Sequence, residues 1–556
     1  MRNKPALAAA MMAAISLMLA QPSFVRANDA ASAALTGQVS SAKEGLMEGV
    51  VIGAKKDGST ITINVMTDEK GRFNFPASKL GPGHYAFKVR AAGYDLDGPK
   101  SIDVAAGKTA TADLKLVPAK DLSSQLSDAE WLLSIPGTEE QKKFLLGCNG
   151  CHTIERTVKA THSADEWVQV LRRMALYAPG SAPLRPQMTV GSVQRDRTRG
   201  ADPKAIGEWL ASINAAYHSA QKFPYKTLPR PTGKATRAVI TEYDLPRPLA
   251  MPHDVVVDST GTAWYSDFGD QFMGRLDPKS GEVKEYPIPV LKKGFPMGTL
   301  DLQLDKAENL WISLMYQGGI AKFDRKTEKF QIYPVPKEWQ GDHTQQSMVS
   351  PTNSHVDGKV WTNNQDTHAI YRLDVATGQY ENLGEFQIPG ANRTISAYGI
   401  PSDRDNNLYL LEFGSHYIGR IDAKTKEFKV YTTPTPNSRP RRGRFDAENR
   451  LWFAEYGANG IGMLDPKTEK IQEWKLPIPW SAPYHLVPDK NGELWIGSMW
   501  TDRVTRLNPK TNEFTDYLLP RETNIRRVFV DSSTTPVTFW VGSNHGASVL
   551  KLEPLD

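Results

Sequence analysis

Cysteine is nearly absent: two stand in 556 residues, too few for a secreted scaffold stapled by disulfides. No basic block occurs either. The 67 Lys and Arg and 62 Asp and Glu are spread along the chain, which excludes the charge footprint of a nucleic-acid binder. Beyond residue 27 no apolar run is long enough to cross a bilayer, so no membrane span is expected. Fingerprints for nicotinamide or flavin dinucleotides are missing. What is present is a globular composition, 40% apolar and 23% charged, with 43 Gly and 38 Pro for many turns. The length calls for several domains or a large repeat architecture.

Residues 1–27 read as a secretory signal. Arg2 and Lys4 form the charged start, Ala6 to Ala20 the apolar stretch, and Val25-Arg26-Ala27 a cleavage site with small residues at its first and third positions. An uncleaved anchor is the alternative, opposed by polar Gln21, Ser23 and Arg26. The mature chain is expected in the periplasm of a Gram-negative cell.

Residues 34–117 alternate apolar and polar positions in short runs broken by Asp68-Glu69-Lys70-Gly71 and Leu80-Gly81-Pro82-Gly83. This pattern predicts a β-sandwich. Gly37-Gln38-Val39, Thr67-Asp68, Gly71-Arg72-Phe73, Pro82-Gly83-His84-Tyr85 and Ala92-Gly93-Tyr94 resemble the carboxypeptidase regulatory-like domain. The resemblance implies an accessory or docking role.

Cys148-Asn149-Gly150-Cys151-His152 has the Cys-x-x-Cys-His pattern of covalent c-type haem attachment. Two thiols suit thioether bonds and the following imidazole an axial iron ligand. A disulfide or thioredoxin-like redox pair is the alternative, and the adjacent histidine and export signal argue against it. Helices are expected over Glu139 to Gly147, from the capping box Ser163–Glu166 through Met174, and over Pro203 to Ile213. Together, residues 119–230 resemble a cytochrome c domain. A second axial ligand is expected at Met174, with Met188 the rival and His162 or an open position as further options; a methionine in either place also serves as core filler.

From residue 235 the chain repeats. An aromatic recurs at Trp264, Trp311, Trp361, Tyr409, Trp452, Trp495 and Trp540, at intervals of 47, 50, 48, 43, 43 and 45. Twelve residues beyond each stands an apolar residue, followed by Asp277, Asp324, Asp374, Asp422, Asp465, Asn508 or Glu553 as turn former. Four short strands per unit predict propeller blades, seven in number over 235–556, with strand 239–246 completing the last. The fold class is therefore multidomain and mainly β: a β-sandwich and a seven-bladed β-propeller, with a small all-α cytochrome c domain between them. Leu451-Trp452-Phe453-Ala454-Glu455-Tyr456-Gly457 and Ile461-Gly462-Met463-Leu464-Asp465 resemble the repeat of streptogramin (virginiamycin B) lyases.

Three residues after the aromatics come Asp267, Glu412 and Glu455; eleven before come His253, Tyr398, Arg441 and Tyr484, and His485 falls one place late. The lyase resemblance implies a base and a magnesium ligand from a His and a Glu fourteen residues apart. His253 and Asp267 keep that spacing with a shorter carboxylate. Expected catalytic residues are His253, Asp267, Glu412, Glu455 and His485, and two of the three carboxylates form the expected site for a divalent cation, Mg or Ca. Strand capping and buried water are the plainer reading of the same side chains. Arg441, Arg442, Arg526 and Arg527 suit an anionic ligand, or ordinary salt pairing. His343, His355, His368, His416 and His545 read as surface loop residues.

These features point to an exported haem c oxidoreductase. A small-molecule substrate is bound in the propeller and electrons leave through the haem to a periplasmic partner such as a soluble cytochrome. A pyrroloquinoline quinone in the propeller would add a second redox group, without a fingerprint in the sequence. A metal-dependent lyase, or a binding and electron-transfer protein without substrate chemistry, are the alternatives.

Overall fold

A computed structural model of the chain describes residues 33–191, 200–214, 223–341 and 346–556. The signal segment 1–27 and His343 lie outside the described residues. The architecture is mainly β, in several sheets, with few helices, and among the described residues no helix is long and apolar enough to cross a membrane.

Residues 33–118 form two layers of strands. Leu35, Val39, Val50, Ile52, Phe73, Phe75, Leu114 and Leu116 fill the space between them. Close approach of the neighbouring segment 110–114 to the first strand requires glycine at position 37, where a Cβ would stand 1.8 Å from the carbonyl oxygen of Ala112.

From residue 252 the chain builds six antiparallel four-stranded sheets, each from consecutive strands: I (252–287), II (302–334), III (346–384), IV (397–432), V (440–475) and VI (483–518). The first strand of each lies against the first strand of the next. Ile525–Asp531 lies against the first strands of both VI and I, so the inner strands form a ring and the arrangement is propeller-like.

Four of the six repeated tryptophans are anchored by an aspartate six positions earlier. Asp258, Asp305, Asp446 and Asp489 accept the indole N–H of Trp264, Trp311, Trp452 and Trp495 at 2.8, 2.9, 2.8 and 3.0 Å. The same carboxylates accept turn amides from Thr260, Ala307, Glu448 and Asn491. One residue thus shapes the turn and satisfies a buried donor that would cost about 1–3 kcal/mol unpaired. The acids and amide after the apolar position act as turn formers: Asp277, Asp324, Asp374, Asp422, Asp465 and Asn508 each accept the amide two residues on.

The sandwich is not a separate appendage. Ile525–Asp531, Thr538–Ser543, Ser548–Pro554 and Ala238–Asp244 continue through Ile61–Met66, Val51–Lys56, Gly83–Arg90 and Ser101–Val104 as one eight-stranded sheet. Ala238–Asp244 pairs with Ser548–Pro554 on one side and Ile61–Met66 on the other. Val239 even enters the sandwich core. The sequence reading placed an accessory module here; backbone hydrogen bonding makes it part of the sheet that carries the chain's last strands.

Helices α1 (Asp128–Ser134), α2 (Glu139–Leu145), α3 (Ile154–Val158), α4 (Ala164–Met174) and α5 (Pro203–Ser212) follow the sandwich. Capping boxes open α1, α2 and α4 at Ser127–Glu130, Thr138–Gln141 and Ser163–Glu166. Their apolar faces bury Trp131, Leu132, Trp167, Leu171, Trp209 and Leu210 in one core with Tyr456, Tyr484, Met499 and Trp500 of the ring. The helices are therefore seated on the ring rather than strung between the β units.

Candidate functional site

Most of the inner strands share a fault in their ladder. In sheet I the pair Pro252–Asp267 is followed by Val255–Tyr265, which leaves His253 and Asp254 facing one residue. Arg441 with Arg442, and Arg526 with Arg527, are displaced in the same way, while Tyr398 and Tyr484 are single extra residues. Such bulges re-aim side chains that a regular strand would send to opposite faces. The displaced residues meet across sheets that are not neighbours, in two tiers.

The first tier contains His253, Tyr398, Arg441, Tyr484 and Arg526, all in the buried interior or at its edge. His253 Nδ1 donates to Asp254 at 2.6 Å, and its Nε2 lies 3.1 Å from the Tyr484 hydroxyl, which also bonds Tyr398. Burial drives the His253 imidazole down to about 3, beyond what Asp254 restores, so the ring is neutral and Nε2 accepts from Tyr484. Burial alone would raise the Tyr484 phenol; Arg441, Arg526 and Arg442 outweigh it and hold it below the usual range. The guanidinium of Arg441 lies 3.8 Å from the ring centroid of Tyr484, 4.5 Å from Phe413, 4.6 Å from Tyr456 and 4.9 Å from Tyr398. No carboxylate lies within ion-pair reach of Arg441 or Arg526 among the described residues.

The second tier is compensated. Arg442 bonds Asp254 at 3.0 Å and Asp301 at 3.3 Å; Arg527 bonds the same pair at 3.2 and 3.1 Å. His485 belongs here, its Nδ1 3.2 Å from the backbone amide of Val528, and burial followed by Arg527, Arg444 and Arg442 pushes it well below its ordinary value. A cavity of about 20 Å³ lined by Asp301, Arg442, Arg444, His485 and Arg527 has room for about one water. The ring is thus plugged by charge at this depth.

The three carboxylates each end the second strand of their sheet, paired with Pro252, Ala397 and Pro440. Asp267 is spent on Arg247 at 2.6 Å and on the amides of Gly269 and Met251. Glu412 bonds Arg393. Glu455 is raised to about 9 by burial and by Glu473, and its Oε1 has no partner. Among the described residues no three His, Cys, Asp or Glu converge as a metal cluster.

The Cys148–His152 loop faces the first tier. Asn149 is fully buried, its amide bonded to Asp128 of α1 and to Asn524 of the ring. Arg526 bonds Asn524 at 2.5 Å and the Gly150 carbonyl at 3.2 Å, while its guanidinium stands 5.5 Å from both Phe268 and Tyr484. Both cysteines are half-buried and not joined to one another. His152 Nδ1 donates to the Thr153 carbonyl at 2.9 Å, which fixes the tautomer and leaves Nε2 its lone pair. Two adjacent thiols and an imidazole so oriented fit covalent haem. Met174 ends α4, half-buried on the side of Trp167 and Leu171; Met188 is 52% exposed. His368 and His416 bond the hydroxyls of Thr394 and Ser415, while His545 departs from its surface reading, with both ring nitrogens buried.

Sequence reasoning found one column of the first tier. It missed Asp254, because the bulge brings both His253 and Asp254 inward, and it missed Asp301 and Asn524, which no repeat position marks.

The virginiamycin B lyase family profile matches residues 381–554, and the carboxypeptidase regulatory-like domain profile matches residues 34–117. Among solved structures, virginiamycin B lyase from Staphylococcus aureus is similar at 20% identity and a TM-score of 0.49, covering 57% of this chain and 99% of its own. A streptogramin B lyase is similar at 22% identity and a TM-score of 0.49, covering 58% of this chain and 100% of its own. No curated protein matches the chain. The likeness is to a virginiamycin B lyase-like β-propeller fold joined to a carboxypeptidase regulatory-like domain.

Proposed function

We propose that this is an exported electron-transfer protein, directed to the periplasm by residues 1–27. In this reading a sandwich (34–117) and a helical cytochrome c domain (119–230) are joined to a seven-bladed propeller (235–556), which oxidises a small anionic substrate. Cys148, Cys151 and His152 hold haem c. The haem supplies a one-electron acceptor.

The remaining work falls to the chain's own residues. Arg441, buried without a carboxylate, binds the substrate's negative charge inside its aromatic box. Tyr484, held below the usual phenol range by Arg441, Arg526 and Arg442 against the opposing effect of burial, and hydrogen-bonded to His253 and Tyr398, lines the path by which the proton that leaves with the electron is passed on. The helices cover the mouth and keep water out. A soluble cytochrome is the proposed electron acceptor. The observation that carries this reading is Arg526, which touches the Cys-x-x-Cys-His loop and the Tyr484 ring with one guanidinium.

The test begins with the mass and alkaline pyridine spectrum of the mature protein. A covalently bound haem, lost in Cys148→Ala with Cys151→Ala, is expected; its absence overturns the reading. Anaerobic addition of small carboxylates then identifies those that reduce the haem, with Arg441→Gln unresponsive to them.

The family profile over 381–554 favours a second reading, a metal-dependent lyase using His253 and a divalent cation. Asp267 would have to give up Arg247 to bind the cation. Magnesium- or calcium-dependent turnover without haem reduction would select this reading.

A further inference from the structure

His545 lies in the turn between strands Thr538–Ser543 and Ser548–Pro554, a loop position with no evident role in the sequence. The turn is held against the Cys-x-x-Cys-His loop. The backbone amide of Asn544 donates to the Asn524 carbonyl at 3.3 Å, Asn524 bonds Asn149, and Arg526 bonds the Gly150 carbonyl.

Both His545 ring nitrogens are buried without a hydrogen-bond partner, although part of the residue's surface stays exposed. An imidazole carries one donor and one acceptor when neutral, and leaving a buried polar atom unpaired costs about 1–3 kcal/mol. The charged or chargeable groups that act on it are Arg526 and His152; no acid is among them. His152 meanwhile has committed Nδ1 to Thr153 and keeps Nε2 free. Two imidazoles, one on each side of the interface between helices and ring, therefore have nitrogens without a hydrogen-bond partner.

We propose that His545 is the second axial ligand of the haem iron held by Cys148, Cys151 and His152, so that the ring completes the haem site. This rests on the haem reading above. It replaces the expected Met174, which belongs to the helical face of Trp167 and Leu171, and Met188, which is exposed. A histidine supplied from the propeller explains why the turn at 543–547 is pinned to Asn149 and Gly150 by way of Asn524 and Arg526.

The experiment uses the full-length haem-loaded protein. The ferric wild type is expected to show low-spin, bis-imidazole electron paramagnetic resonance and near-infrared dichroism signals, without the red charge-transfer band of methionine ligation. His545→Ala is expected to lose the low-spin signal and to regain it on adding imidazole, while Met174→Leu leaves the spectrum unchanged. A methionine band in the wild type, an unchanged His545→Ala spectrum, or a high-spin Met174→Leu overturns the assignment. If His545→Ala does not fold, a methionine band in the wild type, or loss of the low-spin signal in His162→Ala, still overturns the assignment. Absence of covalent haem fails the underlying reading; haem with a methionine signature fails only this one.

Discussion

Arg526 donates to the carbonyl oxygen of Gly150 at 3.2 Å, across 376 positions of sequence. Its charge is buried without a carboxylate and adjoins the Cys-x-x-Cys-His loop. A nearby cation favours the electron-rich state of a redox centre. If the Cys148–His152 loop holds haem as proposed, Arg526→Gln should therefore lower its reduction potential, by on the order of tens of millivolts for a charge about 10 Å away at an effective dielectric of about 20. Potentiometric titration of parent and variant measures it, and a potential that rises or stays fixed refutes the placement of the charge.

Tyr484→Phe removes the hydroxyl that joins His253 to Tyr398 and leaves His253 Nε2 unpaired in the interior. The expected cost is about 1–3 kcal/mol of folding stability. Denaturant unfolding checks this, and equal stability would show the network to be dispensable for folding.

Glu455 holds its proton to about 9, against an ordinary value of 4.5, because burial and Glu473 oppose its charge. The folded protein thus retains a proton that the unfolded chain releases. Stability from this group is full below the unfolded value and is lost as pH rises towards the folded one. Glu455→Gln abolishes that loss. Its unfolding midpoint should match the parent's at about pH 5 and exceed it at about pH 7, by on the order of 3 kcal/mol. Denaturation across this range gives the answer, and parallel curves would contradict the shift.

Asp446→Ala deprives Trp452 of its indole partner and the following turn of its acceptor. A loss of about 2 kcal/mol is expected, whereas Glu448→Ala, on the exposed side of the same turn, should fall within about 0.5 kcal/mol of the parent. Thermal unfolding of the two variants separates anchor from surface.

The repeated aromatics at Trp264 through Trp540 and the capping box Ser163–Glu166 were legible because they are local rules that tertiary packing enforces. The bulges were not. Periodicity assigns alternate residues to alternate faces, so it selects His253 and passes over Asp254, although both reach the interior. His485 reads as one place late from its column for the same reason: it belongs to the second tier. The fusion of Ile61–Met66 to Ala238–Asp244 was invisible too, because an edge strand carries no signal for the partner that covers it. His545 reads as a surface residue because nothing local signals that His152, distant in sequence, lies beside its turn.

The position of Ala238–Asp244 bears on the order of assembly. In the nascent chain this strand emerges after Ile61–Met66, its neighbour on one side, and before Ser548–Pro554, its neighbour on the other. The early module gives it a berth while the rest of the circle is still being synthesised. Ring closure then becomes the capture of a late strand by a preformed edge, and an interrupted product keeps half of its seam already protected.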